Sequence, residues 1–190
     1  KVKKEGKQPF RFCFVRHPLS WYESWWRFRK KNNWIHCGRN NSTRHWHPNA
    51  VLNGIGDDDF NNFVRNVIQI RPGYVSELFF SYTKPGISFI GKQENLVDDF
   101  IYVLDILGFP IPPEQIKKRP PVNISDFGEE SDKIEWDEDL KRTVMLLELP
   151  ALIHFDYITE RQLNELGISV PLKPNKALSK TGCEAVRQDL

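Results

Sequence analysis

Arg16 and Ser24 stand eight residues apart in FVRHPLSWYESWW, and both are residue types that bind phosphate. An arginine offers a planar fork of donors that can meet a phosphate with two parallel charge-assisted bonds, and a serine hydroxyl adds a further donor. FRFCFV at 10–15 is a short apolar run that stops at Arg16-His17-Pro18. This places Arg16 at the end of a strand, just ahead of a helix whose free N-terminal amides and dipole attract an anion. A competing reading pairs Arg16 with a carboxylate and leaves Ser24 to cap or pack; the residues alone leave both open. His17, beside Arg16, can orient a phosphate or serve as a polar turn residue. His45 and His47, in HCGRNNSTRHWH, are the candidate general bases, because a neutral imidazole near pH 7 accepts a proton, and a surface-loop role stands against that reading. Glu94 falls at a helix start, where a carboxylate complements the dipole. His36, Cys37, His45 and His47 lack the paired spacing of zinc-binding motifs, so no metal is expected.

These groups need a scaffold, and the pattern around them alternates between strand and helix signals. Ser20 and Glu23 have capping-box spacing, which predicts a helix over about 21–31 with Trp21, Trp25 and Phe28 on one stripe buried against a sheet. Residues 32–56, rich in Asn, His, Gly and Trp, read as a long loop suited to substrate contacts. Asp57-Asp58-Asp59 precede a helix with Phe60, Phe63, Val64, Val67 and Ile68 at helical spacing, and a further helix covers about 75–82. ISFI at 87–90 reads as a second buried strand broken by Gly91, followed by an amphipathic helix over about 94–107. Residues 109–133 read as a Pro-rich linker, 137–154 as a kinked or paired closing helix, and Thr159 as the cap of a short helix in a peripheral tail. Strand, helices, strand, helix is an α/β order that predicts a parallel sheet.

The chain has 190 residues, 39% hydrophobic and 27% charged, which suits one soluble core and excludes a disordered tail. No apolar run approaches the roughly 20 residues of a membrane span. Three cysteines are too few and too odd a set for a disulfide framework, and they favour a reducing, cytoplasmic setting. The net charge of +2 hides an asymmetry: residues 1–48 hold twelve Lys or Arg against Glu5 and Glu23, leaving an acidic remainder. That basic, Trp- and Phe-rich third is either a solvated face over an aromatic core or a surface for a polyanion.

The first strand-to-helix segment resembles the 3'-phosphate-binding motif of sulfotransferases that use 3'-phosphoadenosine 5'-phosphosulfate (PAPS), in which a strand ends in Arg-x-Pro and a Ser follows the Arg by eight residues. Arg16, Pro18, Ser24 and Trp26 take those places. DDDFNNFVRNV resembles the family's D-F-x-x-F-V helix, ISFIGKQENLVDDFIYVLDILG its I-G-x-x-E-N-L-x-x-D-F strand and helix, RPPVNIS its N-x-S loop, and LIHFDYI its D-x-x-x-F-x-Y segment. The similarity runs in the family's order over 10–158.

The resemblance implies a P-loop-kinase-like sulfotransferase fold over 1–158, a three-layer parallel sheet flanked by helices, with 159–190 as a C-terminal tail. It implies PAPS as donor and 3'-phosphoadenosine 5'-phosphate (PAP) as product, with Arg16, Ser24, His17, Asn123 and Ser125 holding the nucleotide. The acceptor is expected to be a hydroxyl, a glycan among the candidates. The family's 5'-phosphosulfate loop has no counterpart in KVKKEGKQPF, so the fold is expected to be incomplete at its N-terminus. The alternative is a noncatalytic nucleotide- or polyanion-binding module built on the basic aromatic third; nucleic acid is not the expected partner. A small kinase on the same scaffold would need the same absent phosphate loop and a magnesium-binding carboxylate, so it gains nothing from the sequence.

Overall fold

The computed structural model describes residues 9–38, 47–120 and 134–172. The chain builds β1 (Phe12–Val15), α1 (Pro18–Lys31), a 3-10 turn (Pro48–Leu52), α2 (Phe60–Ile70), α3 (Tyr74–Tyr82) and β2 (Phe89–Lys92). A second 3-10 turn (Gln93–Asn95) leads into α4 (Leu96–Ile106), followed by α5 (Pro113–Lys117), α6 (Glu138–Leu147), α7 (Leu149–His154) and α8 (Glu160–Glu165). It is a mixed α/β fold. Among the described residues the sheet has two strands, not the broad central layer expected, and they pair in parallel with Phe12 opposite Phe89 and Val15 opposite Lys92.

Both faces of this small sheet are covered by helices. Val15 and Ile90 point into the main core with Tyr22, Trp26, Phe63, Val67, Val75, Phe79, Val144 and Phe155, while Phe89 points the other way onto Val103 and Ile106 of α4. Parallel strands connected by helical crossovers bury both faces in this manner, which is why their sequences read as unbroken apolar runs. Gly91 does not break β2 but lies inside it. A Cβ there would sit 2.5 Å from the Phe14 ring, so the glycine is the gap into which the neighbouring strand's phenyl fits.

The helix after β1 starts earlier than its sequence predicts, because Pro18 occupies its first turn and His17 caps it, the imidazole Nδ1 accepting from Leu19 N at 3.2 Å. The Ser20–Glu23 capping box is therefore absent, and Glu23 instead accepts from Trp136 Nε1 at 2.8 Å. The buried stripe also differs. Pro18, Tyr22, Trp26 and Arg29 face inward, whereas Trp21 and Trp25 are half-exposed and Phe28 is 53% exposed. Two neighbouring stripes of this helix are aromatic, so periodicity cannot choose between them. What decides is that Tyr22 and Trp26 find partners for their polar atoms, Glu148 and Asp57 O.

Elsewhere the elements lie close to their predicted places. Asp59 caps α2, whose Phe60, Phe63, Val64 and Val67 are buried. The closing helix is a pair, α6 and α7, joined at Glu148. The long loop at 32–56 contains the first 3-10 turn, with Leu52 buried in the core, and α5 falls within the predicted linker. Thr159 and Gln162 form a reciprocal capping box on α8, and Leu163 of that helix is buried against Leu152 and Ile158, so residues 159–172 pack on the body of the fold.

Candidate functional site

In parallel α/β sheets, ligands bind beyond the carboxyl ends of the strands. The ladder between β1 and β2 ends at Val15 and Lys92, so the Arg16-His17-Pro18 turn and the Gln93-Glu94-Asn95 turn leave the sheet side by side. Glu94 ties them together. Its Oε1 accepts from the His17 backbone N–H at 2.8 Å, and its Oε2 accepts from the Tyr157 hydroxyl at 2.8 Å. Tyr157 reaches that point because Asp156 holds φ at +52°, a left-handed turn that Asp tolerates better than most residues. The Tyr157 ring meets the His17 ring edge-on with centroids 5.3 Å apart. Lys92 Nζ lies 4.5 Å from the centroid of the same ring and donates to Asp156 O at 2.9 Å.

Burial and neighbouring charges act on two of these groups, Tyr157 and His17. Burial pushes the Tyr157 phenol well above its usual range, and the bond to Glu94 pushes it further, so Tyr157 stays a donor. Burial lowers His17 despite the opposing pull of Glu94 and Glu23, and Lys92 lowers it further. Because Nδ1 is occupied as the α1 cap, neutral His17 carries its proton on Nε2 and offers a donor rather than a base. Arg16 is half-buried and makes no ion pair among the described residues, and its charge reaches Tyr157.

The His17 shift has a consequence for stability. Below the ordinary value of 6.5 the unfolded chain binds a proton that folded His17 resists. The stability is therefore complete above that pH and declines as pH falls through 6.5 toward the lowered folded value. Between about pH 7 and pH 5 the unfolding midpoint of the wild type is expected to drop more than that of His17→Asn, which keeps a capping acceptor without titrating. Parallel thermal unfolding series check this, and equal slopes would remove His17 from the pH response.

The remaining predicted residues are distributed differently. Ser24 is half-buried on α1, about 9 Å of helix rise beyond Pro18, so it lies two turns from the Glu94 junction, not at the helix start itself. His47 stacks on Trp25, centroids 5.9 Å apart, and its Nδ1 accepts from Asn49 N at 3.1 Å as the cap of the first 3-10 turn. Its neutral form also carries the proton on Nε2, so service as a base would cost that cap. Both histidines precede a proline, and the His-Pro pair is the sequence signal for this capping role. His45, Asn123 and Ser125 lie outside the described residues. Lys92 and Tyr157 were missed as site residues; the signal was a Lys at the C-terminal end of the second strand and a Tyr within LIHFDYI.

Among the described residues no three His, Cys, Asp or Glu side chains gather as a metal-binding group, and no helix is long and apolar enough to cross a membrane. Burial pushes the Cys13 thiol up to about 11, which keeps it protonated at neutral pH. No protein-family model, curated protein or solved structure matches the chain.

Proposed function

We propose that the chain carries the 3'-phosphate-binding part of a PAPS-dependent sulfuryl-transfer site acting on a hydroxyl acceptor. One observation carries this reading. Three segments that carry the resemblance, FVRHPLSWYESWW, ISFIGKQENLVDDFIYVLDILG and LIHFDYI, far apart in sequence, meet at a single carboxylate, Glu94, through the His17 amide and the Tyr157 hydroxyl. Chance motif matches have no reason to share a hydrogen-bonding group at the carboxyl end of parallel strands.

The residues present suit the anion. Arg16 supplies a delocalised charge with paired donors, Lys92 a second cation on the adjacent strand end, and His17 a neutral Nε2–H donor. Ser24 adds a hydroxyl along α1, and Asn123 and Ser125 are the further candidates from the N-x-S segment. PAPS supplies a sulfuryl group on a phosphate leaving group, so that attack by the acceptor oxygen on sulfur releases PAP. The chain's own part is to hold the 3'-phosphate with Arg16 and Ser24 and to take the acceptor proton, for which His45 and His47 are the candidates. Tyr157, held protonated, is not the base.

Thermal unfolding with adenosine 3',5'-bisphosphate and, separately, with AMP tests the reading. Ligand at about 100 times its dissociation constant adds roughly 2.7 kcal/mol, a shift of about 5–11 °C for a domain of this size. The bisphosphate is expected to give that shift in the wild type, AMP to give little, and Arg16→Ala to abolish it. Equal shifts with both nucleotides would favour a general polyanion surface, and no shift would overturn the reading.

A further inference from the structure

We propose that Glu94 is a positioning residue of this anion site, a brace that fixes the Arg16-His17-Pro18 turn and thereby sets where Arg16 presents its guanidinium. The inference rests on the reading above. The last paired residues of the sheet are Val15 and Lys92, so Arg16 and His17 have left the ladder. Pro18 has no N–H, and Leu19 N is taken by the His17 imidazole, a bond internal to the turn. The bond from His17 N to Glu94 Oε1 therefore anchors the turn from outside it.

Glu94 is itself exposed and would be free to rotate, but its second oxygen is held by Tyr157, whose ring is buttressed by His17 and Lys92. Lys92 Nζ in turn holds the Asp156 carbonyl next door. The brace thus joins the end of β1, the end of β2 and the chain after α7 in a closed ring of contacts. A carboxylate beside an anion site opposes the ligand's charge, so electrostatic attraction cannot be its contribution. What it offers is geometry: two hydrogen bonds that fix the turn against the chain after α7.

Glutamine at this position keeps a carbonyl oxygen for His17 N and an amide group that can donate to the Tyr157 oxygen, while removing the charge. Alanine removes both bonds. Calorimetric titration of wild type, Glu94→Gln and Glu94→Ala with adenosine 3',5'-bisphosphate tests the role. Glu94→Ala is expected to bind about tenfold more weakly, the worth of roughly one net hydrogen bond, and Glu94→Gln to bind within about threefold of the wild type or more tightly. A purely structural role would lower the melting temperature and leave the affinity of the folded protein unchanged, and that result overturns the proposal. Glu94→Gln failing as badly as Glu94→Ala also overturns it. Should Glu94→Ala not fold, Tyr157→Phe releases one side of the brace and is expected to weaken binding by about threefold; unchanged affinity there counts against the brace. If the wild type does not bind the bisphosphate, the sulfotransferase reading falls on its own, and the same variants titrated with inorganic sulfate decide the brace. Sulfate binding that needs Arg16 and is lost in Glu94→Ala supports it, and no sulfate binding overturns it as well.

Discussion

Replacement of Glu148 by alanine is expected to lower the stability of the protein by about 3–5 kcal/mol, because it strips the acceptor from several buried donors at once. Glu148 joins α6 to α7 and is 0% exposed. Its Oε1 accepts from the Tyr22 hydroxyl at 2.8 Å and from Val75 N at 3.1 Å, and its Oε2 accepts from Ser76 N and Ser76 Oγ, both at 2.7 Å. The carboxylate therefore caps the start of α3, where Gly73 provides no side chain, and bolts that helix to α1. Alanine would leave two backbone amides and the Tyr22 hydroxyl of the core without this acceptor, each carrying its own desolvation cost, while the Ser76 hydroxyl keeps the backbone carbonyl of residue 148 at 3.4 Å. At about 2–4 °C per kcal/mol, the unfolding midpoint should fall by roughly 6–20 °C. Tyr22→Phe, which removes one donor and leaves the carboxylate with three, is expected to cost about 1.5–3 kcal/mol. Urea and thermal unfolding measure both; a loss for Glu148→Ala smaller than that for Tyr22→Phe would contradict the role given to the carboxylate.

The second large effect separates the two aromatic stripes of α1. Trp26 is 2% exposed, packs edge-on against Phe60 at 5.7 Å and donates from Nε1 to Asp57 O at 3.0 Å. Truncation to alanine is expected to cost about 3–5 kcal/mol, as for other buried aromatics. Phe28, two positions on, touches the Trp25 ring at 5.6 Å and is otherwise turned to solvent. Its truncation should stay within about 0.5 kcal/mol. Urea unfolding of the two variants distinguishes the inward face directly: comparable losses would mean that the Trp21, Trp25 and Phe28 stripe faces the core.

That pair of residues also shows where reading a sequence stops. Element type was legible almost throughout, because apolar spacing in FNNFVRNVIQI, the run FRFCFV, and the caps at Asp59 and Thr159 are local signals with local causes. The phase of α1 was not legible, since both candidate faces are aromatic and only the partners of Tyr22 and Trp26 separate them. Gly91 reads locally as a breaker and is structurally a socket for Phe14, a fact that requires knowing which strand lies alongside. The capping box at Ser20 had correct spacing, but His17 and Pro18 start the helix three residues earlier.

The candidate site divides along the same line. Composition and order of segments by themselves determined an α/β chain with Arg16 at the end of a strand, because strand ends, prolines and helix starts are written in consecutive residues. Glu94, Lys92 and Tyr157 joined that site only through tertiary structure. Their separation from Arg16 along the chain gives no local signal, and the parallel register that sets Val15 beside Lys92 depends on the helices that span the crossover. Local rules fix the dihedrals of a few residues at a time, whereas a carboxylate shared between distant turns exists only once the core has closed around them.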